Sequence, residues 1–240
     1  MNARLKKLGV VLAALGLVFV AGGVFAYSKV AAGADALQAF SAAQNVTLAY
    51  DENGNYLSHG TAEEGATILA MLQDEWKYPV NLSEINPDDP LVNTGSEYML
   101  QMATVVYHTL HATARVTLPD DADDVVYDGV TYHAGDTVEF VNDGKYWTGF
   151  DRSNVIEGLA RDKVWTGTAH ALVGELGVGS VTASTLQMGY GIAALIAGIG
   201  CTSILAGLGL VWVASAAPVG AQAPTPAAKP QAKAENKNKK

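Results

Sequence analysis

Two uncharged apolar runs bracket a longer segment of mixed pattern. The first, residues 8–27 (LGVVLAALGLVFVAGGVFAY), holds twenty residues, and the second, residues 188–217 (MGYGIAALIAGIGCTSILAGLGLVWVASAA), holds thirty. A helix rises about 1.5 Å per residue, so roughly twenty apolar residues cross a ~30 Å hydrocarbon core. Both runs are long enough to span, the second with tilt. For the first, a cleaved secretory signal competes with a retained anchor. Ala32-Gly33-Ala34 has the small-x-small look of a cleavage site, but signal h-regions run only about 7–15 residues, so the length favours a retained anchor.

Small residues are patterned inside both runs. Gly9, Gly16 and Gly23 recur every seven residues and share one helix face, because an ideal helix drifts only ~20° per heptad. In the second run Gly200, Ser203 and Gly207 are spaced by three and four. Small residues let membrane helices approach closely, so these two faces are the expected helix-packing seam. A partner in another protein, or a second copy, would use the same faces.

Between the runs the periodicity changes repeatedly. Residues 34–45 read as a helix with Leu37 and Phe40 on one side, an outward extension of the first apolar helix. VTLAY, the DENGN turn and NYLS form a hairpin over residues 46–58. Thr61 and Glu64 make a capping-box pattern that opens a helix carrying Ile68, Leu69 and Leu72, ending near Trp76. Residues 76–90, with three prolines, form a turn-rich connection. A second capping box, Thr94 and Glu97, opens a helix that runs to about His111. The β-rich block follows: a strand over 115–118, then VVY, VTYH, TVEFV and KYWTGF, punctuated by Asp128-Gly129, Gly135-Asp136 and Asn142-Asp143-Gly144. An antiparallel meander is the economical arrangement. Helical pattern returns from Asn154, and Gly174, Gly177 and Gly179 are expected to interrupt it before the second apolar run. The fold class is therefore α+β: two transmembrane helices flanking a mixed domain with a small antiparallel β meander.

Charge gives these segments a direction. The formal net charge is −9, but residues 28–187 hold seven basic against twenty-three acidic residues, a net charge of −16. Arg4, Lys6 and Lys7 precede the first run, and Lys229, Lys233, Lys237, Lys239 and Lys240 follow the second. By the positive-inside bias, residues 1–7 and 218–240 are cytoplasmic and residues 28–187 extracytoplasmic. The last segment, rich in proline, alanine and lysine, cannot build a core and reads as a disordered basic tail. An acidic middle segment argues against nucleic-acid binding, which needs a basic surface to displace counterions. Cys201, the sole cysteine, lies within the second run, so there is neither an intramolecular disulfide nor a cysteine zinc site.

Candidate chemistry is sparse. Glu97, Gln101, Thr104, His108 and His111 share one face of the Thr94-capped helix, opposite Met102, Val105 and Val106. His108 and His111, nearly one turn apart, are a weak candidate pair for Zn or Fe(II), with a third ligand required from elsewhere. A solvated polar face explains the same periodicity. Asp120, Asp121, Asp123 and Asp124 are weak calcium candidates through their carboxylate oxygens. DENGN begins like an EF-hand loop, but Tyr56 stands where that loop needs glycine and Ala62 where it needs glutamate. No cofactor is called for by any motif.

TAHALVGELGVGSVTASTLQMGYG leading into a glycine- and alanine-rich helix, and DEWKYPVNLSEINPDDPLVNT before a helix ending in YHTLH, resemble small actinobacterial envelope proteins. In that group two membrane helices flank an extracytoplasmic domain, and some members carry an inherited label of aromatic ring-opening dioxygenase. A non-haem dioxygenase needs two histidines and a carboxylate, for which the sequence offers the His108/His111 pair. The resemblance supplies no catalytic motif. The expected function is a membrane-anchored, partner-binding or accessory subunit of an envelope complex, with the lipid bilayer and a membrane protein or second copy as partners. The alternative is a metal-dependent extracytoplasmic enzyme using His108 and His111. A transport role is disfavoured because neither run carries an ionisable side chain other than tyrosine and cysteine.

Overall fold

The computed structural model describes residues 2–216. The tail expected over residues 218–240 lies outside the described residues. In chain order the elements are α1 (Asn2–Gln44), β1 (Ala49–Tyr50), β2 (Tyr56–Leu57), α2 (Ala62–Ala70), α3 (Gly95–Leu110), β3 (Thr113–Thr117), β4 (Val125–Tyr127), β5 (Val130–Tyr132), β6 (Thr137–Val141), α4 (Val155–Val164) and α5 (Gly167–Ser215). The architecture is mixed α+β, mostly helical, with small antiparallel sheets. The chain divides into two units, the described residues of Met1–Ala21 with Ile196–Lys240, and Gly22–Leu195.

Helices α1 and α5 are long and apolar enough to cross a membrane. At 43 and 49 residues they extend about 64 Å and 74 Å, more than twice the ~30 Å hydrocarbon thickness. Only 17% and 11% of their most apolar windows are buried, unlike the core helices of a water-soluble fold. Leu8, Val18, Leu205 and Trp212 project outward.

In the first unit the two helices run antiparallel with glycine against glycine. A Cβ on Gly9 would lie 2.6 Å from the carbonyl oxygen of Gly207, and one on Gly16 2.6 Å from that of Gly200. Both separations are far inside van der Waals contact, so the backbones approach as they do because these positions lack side chains. Ser203 is half-buried in the same unit, and Gly23 is buried in the other. Cys201 is exposed.

The second unit is built around α3. Tyr98, Leu100, Ala103, Val106 and Leu110 are buried, as are Glu97, Thr104 and Thr109. The expectation of a solvated polar face on this helix is therefore corrected for Glu97 and Thr104. Helix α3 packs against α2 and is met by side chains of α1 and α5, so Glu97 and Thr104 are hydrogen-bonded inside instead of solvated. Tyr98 Oη lies 2.8 Å from Ser41 Oγ on α1, and Ser180 Oγ on α5 donates to the carbonyl of Gly95 at 3.0 Å. On the other side Val116, Val138 and Phe140 of the ladder meet Ile156, Ala160 and Val164 of α4 in one core.

Further expectations of the sequence are corrected. Helix α5 runs unbroken through Gly174, Gly177 and Gly179. Gly179 is a contact position: a Cβ there would lie 2.6 Å from the ring of Tyr98. The β block is not a meander either. β3 pairs with β6, from Thr113↔Val141 to Thr117↔Thr137, while β4 and β5 form a separate hairpin across Asp128-Gly129. Both turn residues have positive φ, +47° and +74°, as a two-residue hairpin turn requires. The KYWTGF stretch forms a 3₁₀ turn at Trp147–Gly149. Its aromatics are held by side chains and not by a ladder: Trp76 Nε1 donates to Tyr146 Oη at 3.0 Å, and the Arg161 guanidinium sits 4.1 Å from the Trp147 ring centre.

Candidate functional site

The entrance to α2 places a carboxylate beside two imidazoles. Thr61 is the N-cap, and its hydroxyl accepts the N–H of Glu64 at 3.4 Å. In a complete capping box Glu64 would reach back to the N–H of Thr61. That N–H instead donates to the carbonyl of Ser58 at 2.8 Å, closing a tight turn in which His59 and Gly60 have φ of +46° and +80°. The Glu64 carboxylate, relieved of capping, turns toward the histidines. By contrast, Thr94 and Glu97 on α3 form the complete reciprocal box.

Nδ1 of His59 lies 3.4 Å from one Glu64 oxygen, and Nε2 of His108 lies 3.7 Å from the other. Both separations exceed ordinary hydrogen-bond lengths. The two rings stack with centroids 3.8 Å apart and planes inclined by 4°. The Ser58 hydroxyl and His108 Nε2 share a 2.9 Å hydrogen bond. Burial holds the His108 imidazolium disfavoured, and the neighbouring His59 ring adds to that; Glu64 opposes both, and the net pKa lies below the ordinary histidine value. A neutral ring keeps a lone pair for a ligand. Among the described residues, His59, Glu64 and His108 are the group whose potential ligand atoms all come within 4.8 Å of one another.

Packing holds this corner in place. Thr104 donates to the Leu100 carbonyl, so the 2.7 Å bond between Tyr56 Oη and Thr104 Oγ1 is donated by tyrosine and ties β2 to α3 one turn before His108. Gly65 lets α2 sit against the Tyr56 carbonyl, which a Cβ there would overlap.

The remaining candidates are placed differently. His111 caps the end of α3 with its Nδ1 2.8 Å from the Tyr107 carbonyl, its ring packed against that of Tyr107. Glu97 is fully enclosed, one oxygen accepting from the N–H groups of Asn93 and Thr94 and the hydroxyl of Thr94. Asp120, Asp121, Asp123 and Asp124 are exposed. Asp124 bonds His133 at 2.7 Å, a contact that raises the histidine pKa. Asp51 of the DENGN turn accepts from the N–H groups of Asn53 and Asn55 through one oxygen and from the Asn55 side-chain amide through the other, spending both on its own loop.

Sequence reasoning passed over His59 and Glu64. His59 falls just past the hairpin expected over residues 46–58, and Glu64 is taken up by a capping box; the local signal was a histidine-glycine turn set five residues before a glutamate at a helix start. His108, forty-nine positions on, joins them only through the fold. No protein-family model matches the chain, and neither does any curated protein or solved structure.

Proposed function

We propose that this chain is an integral membrane protein of two spans that presents its acidic domain outside the membrane and there binds a partner protein, as an accessory subunit of an envelope complex. The observation that carries the membrane reading is the helix pair: two long apolar helices, largely unburied outward, seamed by Gly9 against Gly207 and Gly16 against Gly200. In lipid, close packing of small residues drives such pairing, because tails offer no hydrophobic gain between helices. The orientation rests on the basic residues flanking the apolar runs. The charge of −16 over residues 28–187 favours a partner with a basic face, brought in by electrostatic complementarity. The same layout is that of the actinobacterial envelope proteins the chain resembles.

The alternative, an enzyme whose metal is held by His108 and His111, has weaker support, since His111 Nδ1 already faces the Tyr107 carbonyl. Crosslinking in intact membranes, followed by detergent purification and identification of co-purifying chains, tests the partner reading. A stoichiometric membrane-protein partner is expected. A chain recovered as a solitary monomer at native abundance overturns it.

A further inference from the structure

We propose that His59, Glu64 and His108 form a binding site for a divalent first-row transition metal, with Zn(II) as the reference ion and a fourth coordination position open to solvent. The site goes beyond the membrane reading and does not depend on which side of the bilayer the domain occupies.

The donor set selects the metal. Two imidazoles with one carboxylate suit Zn(II) and its neighbours, whereas Ca²⁺ and Mg²⁺ take oxygen ligands. The geometry gathers the donor atoms at one corner of the domain. Glu64 stands 3.4 Å and 3.7 Å from ring nitrogens, too far for strong hydrogen bonds. Tetrahedral ligands about 2.0–2.2 Å from zinc are separated by roughly 3.3–3.5 Å. Donor atoms that already lie within 4.8 Å of one another need to contract by little more than an ångström.

Two independent features point the same way. Glu64 occupies the position of a capping-box glutamate, yet its carboxylate is aimed at the histidines while the Thr61 N–H is satisfied by Ser58. His59 is held in the left-handed region, φ +46°, a conformation that costs a non-glycine residue free energy and recurs at ligand clamps. That backbone brings its ring over His108.

The stacking also dictates what must move. A metal lies in the plane of each imidazole that binds it, and parallel rings 3.8 Å apart share no in-plane point. One ring has to turn. His59 is the free one, its side chain 69% exposed against 30% for His108. Binding therefore swings the His59 ring out of the stack while His108 Nε2 stays in place and exchanges its Ser58 contact for the metal. Three protein ligands leave the fourth position facing solvent at the His59 side.

The test uses the full chain in detergent, stripped with a chelator and titrated with Zn(II) against a chromophoric competitor. Binding of a single Zn(II) per chain is expected, with a rise in melting temperature. Loss of an outer-shell partner alone costs about 10–100-fold in metal affinity, so Glu64→Gln, His108→Ala and His59→Ala should each cost at least about 100-fold. His111→Ala and His133→Ala should leave it unchanged. The exposed His59 ring makes His59→Ala decisive, because removing it does not touch the core. Absence of stoichiometric zinc, or zinc binding that His59→Ala and Glu64→Gln do not weaken, overturns the proposal.

Discussion

Gly16 and Gly200 meet backbone to backbone, each occupying the space a side chain on the other would need. A Cβ on Gly16 would stand 2.6 Å from the Gly200 carbonyl oxygen, and one on Gly200 2.7 Å from that of Gly16. Neither backbone atom can yield without parting the helices. Gly16→Val and Gly200→Val are therefore expected to weaken the pair by about 1–3 kcal/mol, the usual cost of overpacking. Gly198 and Gly209 have open space where a Cβ would go, so Gly198→Val and Gly209→Val should be close to neutral. Unfolding of the four variants in mixed micelles measures the contrast; equal losses in all four would mean that the seam is not where stability resides.

Glu97 is expected to matter for its oxygen more than for its charge. One carboxylate oxygen takes the N–H groups of Asn93 and Thr94 at 3.1 and 2.9 Å, in a site that excludes water. Burial, opposed by these bonds, leaves its pKa above the ordinary glutamate value. Glu97→Ala strands buried donors and should cost about 1–3 kcal/mol. Glu97→Gln retains an acceptor without a charge to desolvate and should cost distinctly less. Chemical denaturation of the full chain in detergent ranks the two.

Acid should loosen the junction at Glu84. Burial alone would raise its pKa, but hydrogen bonds from the Gln187 side chain, Ser96 and Asn81 outweigh it and bring the net value below the ordinary one. A carboxyl depressed in the folded state holds fewer protons there than when unfolded. Its contribution is present above the ordinary glutamate pKa of about 4.3 and is lost as pH falls through the depressed value. Protection factors of the amides at the start of α3, taken relative to the slower intrinsic exchange in acid, should therefore fall below about pH 4 in the parent chain. In Glu84→Gln the same protection should be lower at neutral pH and nearly independent of acid. An unchanged acid response in that variant would assign the effect elsewhere.

What the sequence revealed depended on the range of the interaction. Residues 8–27 and 188–217 announce apolar helices through composition alone, and Thr94 with Glu97 announces α3 through a contact three residues long. The heptad of Gly9 and Gly16 was equally local, although its partners Gly207 and Gly200 lie at the other end of the chain. The pairing of β3 with β6 was not legible, because it closes over a hairpin that looks like the next strand of a meander. The continuity of α5 was hidden for a related reason: Gly179 looks like a helix breaker until the Tyr98 ring that fills its place is known. His59, Glu64 and His108 come from a turn, a helix start and a helix end, and only tertiary packing brings them together. Glu64 was the most misleading of the three, since its position fits a cap that its side chain does not make.

The sidedness of residues 28–187 is tested most directly by cysteine labelling in intact cells. In a Cys201→Ser background, Glu52→Cys places a thiol on the exposed DENGN turn and Ala3→Cys places one on the exposed start of α1. With the domain outside and the N-terminus inside, a membrane-impermeant maleimide labels Glu52→Cys in intact cells and Ala3→Cys only after permeabilisation. Labelling of both without permeabilisation, or of Glu52→Cys only after it, would contradict a two-span protein that presents this domain outside.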